Sequence, residues 1–195
     1  MEEPKRPRRR LLLPLLALGV VGAWAATSLV GGRTPVPVDP RGMSPPMAAM
    51  ARDFNVLRLA QSSRCSLTAE EVMGMRPGAR LRGSCCQGMD FRHYTEQRRG
   101  LAAYRSLEVV PNDPYDVPVT LAKQILTTGR AITLSDEEQQ TYDEAVSMSK
   151  EHGPCCCHCW RWDVFEAQAK ILIAERGMGA EDVARVWGLE DGCGG

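Results

Sequence analysis

The sequence predicts an all-α, cysteine-rich domain behind an N-terminal export segment and a proline-rich linker. Three observations carry the prediction. Apolar residues recur at three- and four-residue steps, as in Met47, Met50, Phe54 and Leu57. Helix-start residues recur just ahead of such runs, with Thr68 three before Glu71 and Ser135 three before Glu138. No stretch alternates apolar and polar residues with a period of two, so no half-buried strand is expected.

The first segment, 1–32, reads as a signal anchor or a signal peptide. The basic "KRPRRR" precedes an uncharged run from Leu11 to Val30. As a helix that run spans about 30 Å, the thickness of a bilayer core. The basic flank stays on the cytoplasmic side, which places the rest outside the cytoplasm. Small residues in "AWA" at 23–25 offer a cleavage site, but the apolar run continues past it, which favours an uncleaved single-pass anchor in the cell membrane. No cysteine lies at the run to carry a lipid. Residues 33–46 are rich in proline and glycine and form an extended linker.

Helices are expected through the remaining domain, 47–195. The first covers Met47 to Gln61, and a short second one starts at Thr68. "RPGARLRGSCCQG" reads as loop. Asp90 caps a helix through "FRHYTEQRRGLAAY". Asp116 caps another that has Pro118 near its start and runs to Gly129. Ser135 opens a helix that ends at Gly153. Pro154 then opens a long helix through the cysteine cluster to Gly177, with Trp160, Val164, Ala167, Ile171 and Ala174 as its apolar stripe. "GAEDVARVWGLEDG" gives a last short helix.

The charges narrow the function. Twenty-four basic residues balance twenty-four acidic ones, which leaves no electrostatic footprint for nucleic acid. Gly-rich phosphate loops are absent. The chemistry lies in eight cysteines, four of them in "PCCCHC" at 154–159. Cys155, Cys156, Cys157 and Cys159 at a helix start would sit where backbone N–H groups favour thiolate. One turn of chain cannot surround an ion, so Cys85 and Cys86 of "GSCCQG", and Cys193 of "DGCGG", are expected to join them. Cys65 stands alone and is not placed in the set.

Three readings of the cysteines stay open. An exported chain with an even number of cysteines fits a disulfide framework and a structural or interaction role in the envelope. Crowded thiolates fit a soft metal, copper(I) first and zinc second. Thioethers at Met43, Met47, Met50, Met73, Met75 and Met89, and imidazoles at His152 and His158, stand ready to help. "CCHC" at 156–159 also fits a thiol–disulfide oxidoreductase, although no strand precedes it. Haem attachment is disfavoured because Trp160, not histidine, follows Cys159.

Pro154, Cys155, Cys157 and Cys159 resemble the P-C-x-C-x-C signature of the bacterial PCYCGC-motif proteins, which are small exported or lipid-anchored proteins. Cys156 replaces the tyrosine and His158 the glycine of that motif. The resemblance implies an envelope location and metal handling. The combined expectation is a copper(I) carrier, buffer or sensor rather than an enzyme. Its partners would be the membrane, through residues 11–30, and a metal-transport or envelope protein.

Overall fold

The computed structural model describes residues 36–194, so the expected anchor or signal peptide and the first expected linker residues lie outside it. Among the described residues no helix is long and apolar enough to cross a membrane. Seven α-helices are described: α1 (Pro45–Leu57), α2 (Ala69–Gly74), α3 (Phe91–Leu101), α4 (Val119–Ala131), α5 (Asp136–Met148), α6 (Trp160–Arg176) and α7 (Ala180–Glu190). A single 3-10 turn, Ala102–Tyr104, follows α3.

The capping residues act as the sequence predicts. Thr68 Oγ1 accepts from the Glu71 N–H while the Glu71 carboxylate accepts from the Thr68 N–H. Ser135 and Glu138 make the same reciprocal pair at α5. Asp90 accepts from the His93 N–H to start α3. Gly177 ends α6 in the left-handed conformation, φ 64°.

Three expectations are corrected. First, Arg80–Arg82 (β1) is not loop. It pairs antiparallel with Asp116–Pro118 (β2), Leu81 opposite Val117. Both outer arginines reach one carboxylate, with Nε at 2.5 Å (Arg80) and 3.0 Å (Arg82) from Asp116 Oδ1. Asp116 is therefore a strand residue, and α4 begins at Val119 behind Pro118. Second, α1 ends at Leu57 rather than Gln61.

Third, the long helix does not include the cysteines. Cys159 is extended (φ −104°, ψ −175°), and α6 begins at Trp160. The Trp160 N–H donates to the Leu67 carbonyl at 2.8 Å, which fixes the helix start against another part of the chain. Gly153 (φ 155°) and His152 (φ 51°) turn the backbone sharply just before the cluster.

Helix α6 is the centre of the fold. Trp160, Val164, Phe165, Ala167, Ala169, Ile171 and Leu172 are all buried, so it packs on several sides. The exposed Ala174 does not belong to the expected stripe. Against α4 the backbones touch: a Cβ on Gly129 would lie 2.1 Å from the Ala167 carbonyl oxygen. Helix α7 covers another side, where Trp187 Nε1 donates to the Phe165 carbonyl at 3.1 Å. The Trp187 ring meets Tyr142 of α5 edge-on, with centroids 5.7 Å apart.

A smaller aromatic core joins α1 and α3. Phe54 meets Phe91 and Tyr94, and Tyr94 meets Tyr115, at centroid distances of 5.2, 5.9 and 5.8 Å. Met50 and Met89 pack here. Tyr94 donates to Asp113, which also pairs with Arg98 at 2.7 Å.

Candidate metal centre

Four segments that are distant in sequence carry the cysteines to one place. Residues 62–63 run beside β1: the Ser63 N–H donates to the Arg82 carbonyl (3.0 Å), and Ser62 Oγ donates to the Arg80 carbonyl (2.8 Å). That pairing brings in Cys65. Residues 192–194 lie along the loop after β1. The N–H groups of Cys85, Gln87 and Asp90 donate to the carbonyls of Gly192, Cys193 and Gly194 at 2.9, 2.9 and 3.0 Å. That ladder holds Cys193 against Cys85. Residues 154–159, tied down at Trp160, supply the rest.

The sulfurs form one connected network. Cys86 Sγ lies 2.8 Å from Cys65 Sγ, 3.6 Å from Cys156 Sγ and 3.7 Å from Cys157 Sγ. Cys193 Sγ lies 2.6 Å from Cys156 Sγ, 3.6 Å from Cys85 Sγ and 3.7 Å from Cys155 Sγ. Cys85 and Cys86 sulfurs are 3.6 Å apart, and Cys65 and Cys157 sulfurs 3.5 Å apart. All eight cysteines are free thiols.

Donor atoms fall into overlapping groups, each within 4.8 Å internally. These are Cys65, Cys85, Cys86 and Cys157; Cys85, Cys155, Cys157 and Cys159; Cys86, Cys156 and Cys193; and Cys155, Asp191 and Cys193. Cys85, Cys86, Cys155, Cys156, Cys157, Cys159 and Cys193, the residues expected from sequence, all meet here. Cys65 was missed by that reasoning, because "SSRCSL" gives no local signal and its partner Cys86 lies 21 residues on.

No histidine joins these groups among the described residues. His158 stacks on Trp162 at 3.9 Å, and His152 is exposed. Met47 Sδ accepts from Arg99 at 2.9 Å. Trp160 is buried as expected, whereas Trp162 is only partly covered.

Burial is graded across the network. Cys155, Cys159 and Cys193 are buried, Cys85 and Cys157 are intermediate, and Cys65, Cys86 and Cys156 are exposed. The thiols also differ in acidity. Hydrogen bonding to Cys159 lowers Cys155 to about 7, and bonding to Cys155 lowers Cys193 to about 6. Desolvation raises Cys86 and Cys156 to about 11 and lifts Cys157 further. Cys85 is raised by hydrogen bonds to its sulfur neighbours, Cys155 foremost. The low values therefore come from sulfur neighbours, not from a helix start as the sequence suggested.

Beside the sulfurs lies a buried cation that the sequence reading overlooked. Arg161 is 0% exposed. Its guanidinium stacks over Trp160 at 4.8 Å and lies directly under Gly192, where a Cβ would be 2.2 Å from Cζ. Only Nη2 finds partners, at Ser63 Oγ (3.4 Å) and the Gly83 carbonyl (3.5 Å), while Nε and Nη1 have none. Among the described residues no carboxylate lies within ion-pair distance of it. Its positive charge favours thiolate at Cys85.

No protein-family model matches the chain, and neither a curated protein nor a solved structure matches it. Three groups made of thiols alone, with Asp191 as the one carboxylate beside them and no imidazole, suit a soft or thiophilic ion.

Proposed function

We propose that this domain is an extracytoplasmic polythiolate metal-binding protein that takes copper(I) as a carrier, buffer or sensor, held at the membrane by residues 11–30. One observation carries the reading: eight sulfurs from four segments converge into overlapping groups of metal-ligand dimensions. Zinc is the second candidate by ligand softness. The resemblance to PCYCGC-motif proteins supports an envelope setting. A metal-transport or envelope protein would be the partner that delivers or receives the ion.

A disulfide framework is the competing reading, favoured by the two shortest approaches, Cys65–Cys86 and Cys156–Cys193. These pairs would close first under oxidation. Thiol exchange as an oxidoreductase comes third, because the motif stands before a helix without a preceding strand.

The deciding experiment is a thiol count on anaerobically isolated protein, run beside copper(I) and zinc competition with chelators. Eight titratable thiols and tighter copper(I) than zinc binding support the metal reading. Four intact disulfides in never-oxidised protein, or no metal uptake by eight free thiols, overturn it.

A further inference from the structure

We propose that the eight sulfurs form a single polynuclear centre holding at least three copper(I) ions on bridging thiolates, with Cys85, Cys86 and Cys157 as the bridges. The inference rests on the copper(I)-thiolate reading above and goes beyond it in stating how many ions are held and how.

The groups themselves require sharing. Cys65, Cys85, Cys86 and Cys157 make one; Cys85, Cys155, Cys157 and Cys159 a second; Cys86, Cys156 and Cys193 a third. These three are the all-cysteine groups, and together they use every cysteine of the chain; the fourth group adds Asp191 to Cys155 and Cys193. They have eleven ligand places but eight sulfurs, because Cys85, Cys86 and Cys157 each serve twice. An ion in each group can be satisfied only if those three thiolates each bind two ions. A single ion would use at most one group and leave half the thiols crowded beside it without a role.

The spacings agree. A metal–sulfur bond of about 2.3 Å gives a sulfur–sulfur edge of roughly 3.8 Å around one ion. Cys85–Cys86, Cys85–Cys193, Cys86–Cys156, Cys86–Cys157, Cys155–Cys193 and Cys65–Cys157 span 3.5 to 3.7 Å, while Cys65–Cys86 at 2.8 Å and Cys156–Cys193 at 2.6 Å must open to admit an ion. These edges join seven of the sulfurs in a continuous path, and Cys159 adjoins it within 4.8 Å of Cys85, Cys155 and Cys157.

Charge gives an independent argument. Each thiol gives up its single proton when it first binds copper(I), and a bridging thiolate has none left for its second ion, so every ion carries +1 and every bound sulfur −1. Sulfurs outnumber ions, and the centre is left net negative. Arg161 is a fully buried cation lying under Gly192, next to Cys193, with two nitrogens lacking any partner. An anionic cluster supplies a counter-charge that, among the described residues, no carboxylate provides at ion-pair distance.

The test is anaerobic native mass spectrometry of the reduced full chain in detergent, titrated with copper(I) added as its acetonitrile complex. The expected result is saturation at three or more ions, with few one-ion species on the way, and a copper–copper shell in X-ray absorption. Cys157→Ser should remove at least two ions, whereas Cys65→Ser and Cys159→Ser, each in one group, should remove no more than one. Saturation at one or two ions overturns the inference while leaving the copper reading intact; no uptake at all overturns that reading instead. If Cys157→Ser does not fold, the native ion count and absorption spectrum decide.

Discussion

Cys86 Sγ lies 3.6 Å from Cys156 Sγ although seventy residues separate them. An ion bound between them closes a long loop, and similar closures tie in Cys65 and Cys193. On the metal-binding reading, uptake of an ion would therefore be linked to folding. Free copper(I) at about a hundred times its dissociation constant should stabilise the domain by about 2.7 kcal/mol. Chemical denaturation with and without copper(I) measures this. Cys86→Ser should lose much of the gain, and an equal gain in that variant would break the link between Cys86 and the bound ion.

Arg161 should matter more to the loaded protein than to the metal-free one. An unpaired buried cation is costly, and an apolar residue of similar volume removes the cost. Arg161→Met should leave the reduced apo domain as stable or more so. The same variant should bind copper(I) at least tenfold more weakly, about 1.4 kcal/mol. Chelator competition and thermal unfolding read the two effects separately. Unchanged copper affinity would show that the guanidinium is merely packed there.

Glu190 should make stability fall as pH rises. Burial raises its carboxyl to about 8, with Gln168 donating to Oε1 at 2.8 Å. Glu190 Oε2 and Gln168 Oε1 both lack a donor. A proton on Glu190 provides one. Because the folded value exceeds the unfolded one, the stabilising contribution is whole below about pH 4.5 and is lost as pH rises through about 8. Glu190→Gln should remove that dependence and gain on the order of 2–4 kcal/mol at pH 8. Unfolding curves of apo protein and variant at several pH values should diverge upward; parallel curves would refute a neutral Glu190.

The tail ladder should be sensitive at Gly194. Its φ is +108°, and a Cβ would lie 2.6 Å from the Gln87 carbonyl oxygen, a backbone atom. Gly194→Ala should cost about 1–3 kcal/mol and reduce copper uptake by displacing Cys193. Gly188→Ala, which has open space inside α7, should be neutral or gain about 0.5–1 kcal/mol. Denaturation midpoints and ion counts for the pair test whether the ladder positions the sulfur.

Local signals in the sequence were legible. Thr68, Asp90, Ser135 and Gly177 announce helix ends because capping is decided within four residues. The convergence of "CC" at 85–86 with the 155–159 cluster was legible too, from the number of ligands an ion needs. What escaped is decided by contacts far along the chain. The cysteine loop carries helical spacing, but the Leu67 carbonyl claims the Trp160 N–H and starts α6 later. Arg80 and Arg82 look like loop residues until Asp116 is placed opposite them. Cys65 and Arg161 have no distinguishing neighbours in sequence; only their positions beside Cys86 and Gly192 give them meaning.

The gradient of exposure across the sulfurs has a kinetic consequence. Cys65, Cys86 and Cys156 face outward, and an open groove of about 300 Å³ borders Cys86, with Arg58, Arg64 and Gln87 along it. Cys155, Cys159 and Cys193 are out of reach of any visiting molecule. On the copper reading, ions would enter at the exposed thiols and be handed from outer to inner thiolates. The last ion to arrive would then be the first to leave, so a partner at the groove would draw on a small, quickly exchanged fraction while an inner store turned over slowly.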